Sequence, residues 1–118
     1  MAQVRIEDKT VAIHVSRAEK FGALRGDLHF PRSAVRAARV VDKPFAEIQG
    51  FRSPGTRVPG IMALGTWRRP GGDRDFVAVY CGERGIVVEV DPKASSYRRV
   101  ILSTKDPDGV RNLLAAAT

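Results

Sequence analysis

Five arginines, Arg52, Arg57, Arg68, Arg69 and Arg74, lie between positions 52 and 74 with a single acid, Asp73. A guanidinium is a planar fork of donors that matches carboxylate and phosphate oxygens. The chemistry these residues offer is therefore anion binding rather than bond making. The stretch from Gly50 to Gly60 reads Gly-Phe-Arg-Ser-Pro-Gly-Thr-Arg-Val-Pro-Gly. Pro54-Gly55 and Pro59-Gly60 each fit the central positions of a type II turn, so two stiff turns are expected here. Such a loop would hold Arg52, Thr56 and Arg57 in place, with the N–H groups of Gly55 and Thr56 as further anion donors. The competing reading has Arg52 and Arg57 lie along their own protein or pair with a carboxylate such as Asp42 or Glu47. Arg68, Arg69 and Arg74 flank the turn Pro70-Gly71-Gly72-Asp73 and form either an anion site or a solvated charged turn. Trp67 beside them can stack a base or anchor at a lipid interface, or simply pack.

The elements that must position these residues are mostly strands. Val4 and Ile6 alternate with Arg5 and Glu7, and Val11, Ile13 and Val15 with Ala12 and His14, which predicts an N-terminal hairpin. Ser16 to Lys20 fits a brief capped helical turn, pinned by Phe21 and Leu24. Asp27 to Phe30 predicts a short strand closed by Pro31. Residues 33–42 read as helix or strand; a strand from Val35 to Asp42 is preferred because Pro31 and Pro44 punctuate both ends. Pro44 to Gln49 fits one helical turn. Strands are expected over Ile61 to Arg69, Phe76 to Cys81, Ile86 to Val90 and Tyr97 to Ser103, joined by short turns as an antiparallel meander. Asp106 before Pro107 signals a helix start, and Val110, Leu113, Leu114 and Ala117 follow at helical spacing. The expected fold is thus mainly β with a C-terminal α-helix, an antiparallel barrel or sandwich of about seven or eight strands capped by that helix.

Geometry along the strand Ile61 to Arg69 bears on the site. Its length of about 30 Å would hold the Gly50–Gly60 block and the Pro70–Asp73 turn at separate ends.

The 118 residues bound the chain to one domain, long enough to bury a core without a disulfide or metal. Cys81 is the single cysteine, so no internal disulfide forms. The formal net charge of +7, with a pI near 10.3, raises the odds of a polyanionic partner. Arginine outnumbers lysine 15 to 5, a bias that either bidentate phosphate contacts or GC-rich coding would produce. No apolar run reaches the roughly 20 residues of a membrane helix, and the N-terminus lacks a signal-peptide pattern. A cytoplasmic location, with docking at the membrane surface open, is the expectation. His14 and His29 have no further ligand at metal spacing, and Cys81 sits on a strand, buried or half-buried, without an adjacent base. No nucleophile–base order, P-loop or dinucleotide fingerprint is present. No enzyme activity, cofactor or metal is expected.

The chain resembles the pleckstrin-homology-like (PH-like) superfold, and a group of small actinobacterial proteins with a bacterial PH-like domain. The residues that carry this are Glu19 to Asp27 (Glu-Lys-Phe-Gly-Ala-Leu-Arg-Gly-Asp) with Pro31, the block Gly50 to Thr56 with Pro59-Gly60, Gly65-Thr66, and Asp106-Pro107. The resemblance covers nearly the whole chain and implies a single PH-like domain over residues 1–118. Eukaryotic phosphoinositide-binding members carry a basic loop between their first two strands; here Glu7-Asp8-Lys9-Thr10 is short and half acidic. Three functions are therefore carried forward. The first is a non-enzymatic binding or scaffold module making protein–protein contacts, including self-association. The second is weak binding of anionic lipid headgroups through Arg52, Arg57 and the Arg68–Arg74 turn. Nucleic-acid binding ranks third, because the few aromatic residues do not interleave with basic ones in the pattern of an RNA-binding sheet.

Overall fold

The computed structural model describes residues 3–7, 9–14 and 28–115, apart from the side chains of residues 7 and 52–54. The expected turn at Ser16–Lys20, with Phe21 and Leu24, lies outside the described residues, as do Asp27, Ala117 and the 19–27 part of the resemblance. Among the described residues the chain is mainly β, with nine strands and one C-terminal helix. The N-terminal hairpin forms as expected: β1 (Gln3–Glu7) pairs antiparallel with β2 (Thr10–His14), and β3 (Leu28–Pro31) completes a three-stranded sheet. Residues 35–41 are strand, β4 (Val35–Val41), after a short 3-10 turn at Arg32–Ala34. A second 3-10 turn spans Pro44–Glu47. Then follow β5 (Phe51–Val58), β6 (Met62–Arg68), β7 (Arg74–Tyr80), β8 (Gly85–Val90) and β9 (Arg99–Ser103).

Strands β4 to β9 form one six-stranded sheet in the order β4-β8-β9-β7-β6-β5. The expected meander is therefore corrected: β9 inserts between β7 and β8, antiparallel to β8 and parallel to β7. Burial explains the insertion. Val100, Ile101 and Leu102 are all buried, so this run needs cover on both faces, which a central strand receives. The two sheets remain open and neither closes into a barrel.

The first core lies between the two sheets. Val11, Ile13 and Phe30 from the small sheet meet Leu64, Phe76, Ile86, Val88 and Leu102 from one face of the large sheet. Helix α1 (Pro107–Ala115) packs against β4 and β8 and inserts Leu114 into this core. Asp106 caps it as expected: its Oδ1 accepts the Gly109 N–H at 3.0 Å. Leu113, expected on the apolar stripe, is exposed instead. The opposite face of the large sheet forms a second core of Ala63, Trp67, Val77, Val79, Val87 and Ile101, covered by Val41, Phe45 and Ile48. Val77 and Val79 thus face away from Phe76 and Ala78, as the two-residue period of a strand requires.

The Gly50–Gly60 stretch needs one correction. Pro54-Gly55 is not a turn; it lies inside β5, where the register to β6 shifts by one extra residue. A proline fits there because β5 is an edge strand and a bulge tolerates the missing donor. Gly55 sits opposite Gly65, and a Cβ on Gly55 would come within 2.3 Å of the Leu64 carbonyl oxygen. Pro59-Gly60 does turn: the Ile61 N–H donates to the Val58 carbonyl at 2.9 Å, and Gly60 has φ +74°.

Candidate functional site

Strand register decides which arginines meet. Arg52 pairs with Trp67, and Phe51 with Arg68, while Arg68 pairs with Arg74 across the next hairpin. Arg57 pairs with Ala63, toward the Pro59-Gly60 turn at the other end of the strands. So the expected separation holds for Arg57 but not for Arg52, whose backbone lies at the Arg68–Arg74 end. The side chain of Arg52 is outside the described ones. Thr56 is partly buried opposite Leu64, on the β5 segment beyond the bulge.

Trp67 is 1% exposed and belongs to the second core, so of its two readings packing holds, and base stacking and lipid anchoring do not. Arg69 is not a free surface cation: its Nε lies 3.1 Å from Asp75 Oδ2, and its Nη2 3.7 Å from Asp73. The carboxylates named as partners for Arg52 and Arg57 are used elsewhere. Asp42 pairs with Arg84, and Glu47 pairs with Arg39. Cys81 is exposed in the turn after β7 rather than buried on a strand.

The structure adds a buried ionic cluster that the sequence reading missed. Asp75 is 0% exposed; Arg99 Nη2 and Nε donate to its Oδ2 at 2.7 and 3.1 Å. Arg99 Nη2 also donates to the Glu47 carbonyl at 3.0 Å, which ties the Pro44–Glu47 turn over the second core. These groups belong to one lateral row crossing the six strands: Ala37, Glu89, Arg99, Asp75, Trp67 and Arg52. A signal was present in the sequence. Asp75 shares strand parity with Val77 and Val79, so an acid there must be buried and needs a cation. A second buried contact joins Thr66 Oγ1 and Tyr97 Oη at 2.9 Å, with Tyr97 edge-on to Phe76.

What remains at the surface is a compact set. Arg68 and Arg74 are exposed and form no ion pair with the described residues. Arg98 is held beside them by its N–H, which donates to the Arg74 carbonyl at 2.7 Å. Phe51, the register partner of Arg68, is 63% exposed. At the other end of β5, Ile61 is 58% exposed, next to a cleft of about 530 Å³ whose walls include Pro44, Phe45, Tyr80 and Cys81.

Elsewhere, charge pairing is structural. The Asp42 and Asp108 carboxylates hold the Arg84 guanidinium above its ordinary pKa. The Lys93 N–H holds the Asp91 carboxyl below the usual carboxylate range against the opposing effect of desolvation, with a lesser contribution from the Arg36 charge. His14 and His29 meet edge to face, and among the described residues no group of three His, Cys, Asp or Glu side chains can hold a metal. Among the same residues no helix is long and apolar enough to cross a membrane. Compared with protein-family models, curated proteins and solved structures, the chain matches none.

Proposed function

We propose that this chain is a non-enzymatic binding or scaffold module that makes protein–protein contacts along the edge strand β5. One observation carries this reading. Phe51 and Ile61, two large apolar side chains left exposed, bracket β5, which among the described residues forms an outer edge of the six-stranded sheet. An edge strand offers unpaired N–H and C=O groups to a partner, and apolar side chains at each end add anchors about 24 Å apart, seven residue steps along β6. Pro54 and the bulge interrupt that edge. Both devices restrict indiscriminate strand pairing, so the contact is selective. The PH-like resemblance belongs to the same proposal; a two-sheet core closed by a C-terminal helix supports it. So does the expectation of a cytoplasmic location.

The test compares wild type with the double variant F51S/I61S. Each is immobilised and exposed to an extract of the source organism, and each is run by light scattering across a concentration series. A captured partner or an oligomer that the double variant loses supports the reading. A monomer at every concentration, with identical capture by both proteins, overturns it.

A further inference from the structure

The partner's chemistry can be read from the residues beside β5, in an argument that rests on β5 being the contact edge. Arg69 N–H donates to the Asp73 carbonyl at 2.8 Å as the last ladder bond of the β6–β7 hairpin. Arg68 and Arg74 are therefore the next pair inward, a non-hydrogen-bonded one, in which opposite Cα atoms stand only about 4.5 Å apart. Like charges placed directly opposite destabilise a sheet. Neither guanidinium is neutralised by a described carboxylate, although Asp73 lies in the same hairpin and is engaged by Arg69. Arg98, half-buried in the bend just before β9, adds a third cation. Reading inward from the edge, the order is Phe51, Arg68, Arg74, Arg98.

We propose that this end of the sheet binds an acidic segment of a partner protein, with carboxylates on Arg68 and Arg74 and an apolar side chain on Phe51. A carboxylate between two guanidinium forks receives charge-assisted hydrogen bonds from both and turns the repulsion into attraction. The local shape favours a narrow segment over a flat surface. The turn Pro70-Gly71-Gly72-Asp73 lies past the arginine pair, is exposed throughout, and presents a carboxylate with no large apolar side chain. An anionic bilayer would meet Asp73 before it met the arginines. A single chain passes beside the turn. A nucleic-acid strand needs a longer cationic track, and Arg57 lies at the far end while Arg69 is spent on Asp75.

The probe is a fluorescein-labelled dodecamer with two Glu-Phe-Glu units in a Ser-Gly background, read by anisotropy. The same peptide with Gln for Glu, and vesicles with and without phosphatidylserine, serve as comparisons. Wild type is expected to bind the acidic peptide, weakening as salt rises, and to ignore the Gln peptide. R68E and R74E should each weaken binding at least tenfold and F51A at least threefold. R57E, with the same charge change at the far end, should alter it less than twofold. Equal losses in R57E and R68E would reduce the effect to net charge and overturn the inference. Binding to the anionic vesicles without binding to the peptide would also overturn it, in favour of lipid. If neither probe binds while F51S/I61S still loses its captured partner, the acidic-segment inference fails and the edge reading stands. If that loss is absent too, both fail.

Discussion

Replacing Asp75 by alanine should be the most damaging single change to this fold. Asp75 is fully buried, and its Oδ2 lies 2.7 Å from Arg99 Nη2 and 3.1 Å from Arg69 Nε. The Arg99 side chain is 8% exposed and that of Arg69 20%. Removing the carboxylate therefore strands one nearly buried guanidinium and one partly buried one. Breaking a buried pair by deleting one partner costs about 3–5 kcal/mol. That is a large fraction of the roughly 5–15 kcal/mol that holds a domain together. At about 4 °C per kcal/mol for a chain of this size, the melting temperature should fall by about 12–20 °C. The two partners should rank by burial, with R99A costing more than R69A. The double replacement D75L/R99M sharpens the reasoning. Asp75 Oδ1 has no hydrogen-bond partner, so the cluster stays incompletely satisfied. Exchanging a buried ion pair for apolar residues of similar size is often neutral or stabilising, so the double variant should recover most of what D75A loses. Urea denaturation with a constant m-value is the assay. D75A within about 1 kcal/mol of wild type, or a double variant no better than D75A, would refute this account.

Two further predictions concern β5 and the acid side of the stability curve. Gly55→Ala places a Cβ against the Leu64 carbonyl, which as backbone cannot step aside, so amide exchange of Thr56 and Val58 should speed up at least tenfold while β7 and β9 hold; unchanged β5 protection would contradict the close approach. A Cβ at Gly60 meets nothing within 4 Å, so Gly60→Ala should cost only the conformational penalty of positive φ, about 1–2 kcal/mol by denaturation. Because the folded Asp91 carboxyl lies below its ordinary value, its contribution is complete above the unfolded pKa of about 3.9 and is lost as pH falls through the lower folded value. Wild type should therefore exceed D91N in stability at pH 6 and converge on it at strongly acidic pH; a constant gap at all pH values would exclude this linkage.

Local pattern made several elements legible. The Val4–Ile6 and Val11–Ile13 alternation marks β1 and β2, Asp106-Pro107 marks the start of α1, and Pro59-Gly60 marks a real turn. The candidate site was only half legible. Arg68 and Arg74 stand together at the surface as their turn suggested; Trp67, which the sequence leaves open between exposed and packed, is packed, and Arg69, expected at the surface, lies against the interior. Their neighbours in sequence do not reveal this. The cover over Trp67 comes from Phe45 and Ile48, and the partner of Asp75 comes from Arg99.

By itself the sequence determined the mainly β composition, the hairpins with short turns, and the capped terminal helix. These follow from side-chain period and turn chemistry, which act over a few residues. Only the tertiary structure decided the order of the strands, the bulge at Pro54-Gly55, and which arginines reach solvent. Strand order depends on which apolar run must be covered on both faces, and Val100-Ile101-Leu102 takes the centre for that reason. The fate of each charge depends on register across strands distant in sequence. That register buries Asp75 between Arg69 and Arg99, and it leaves Arg68 and Arg74 facing one another at the surface beside Phe51.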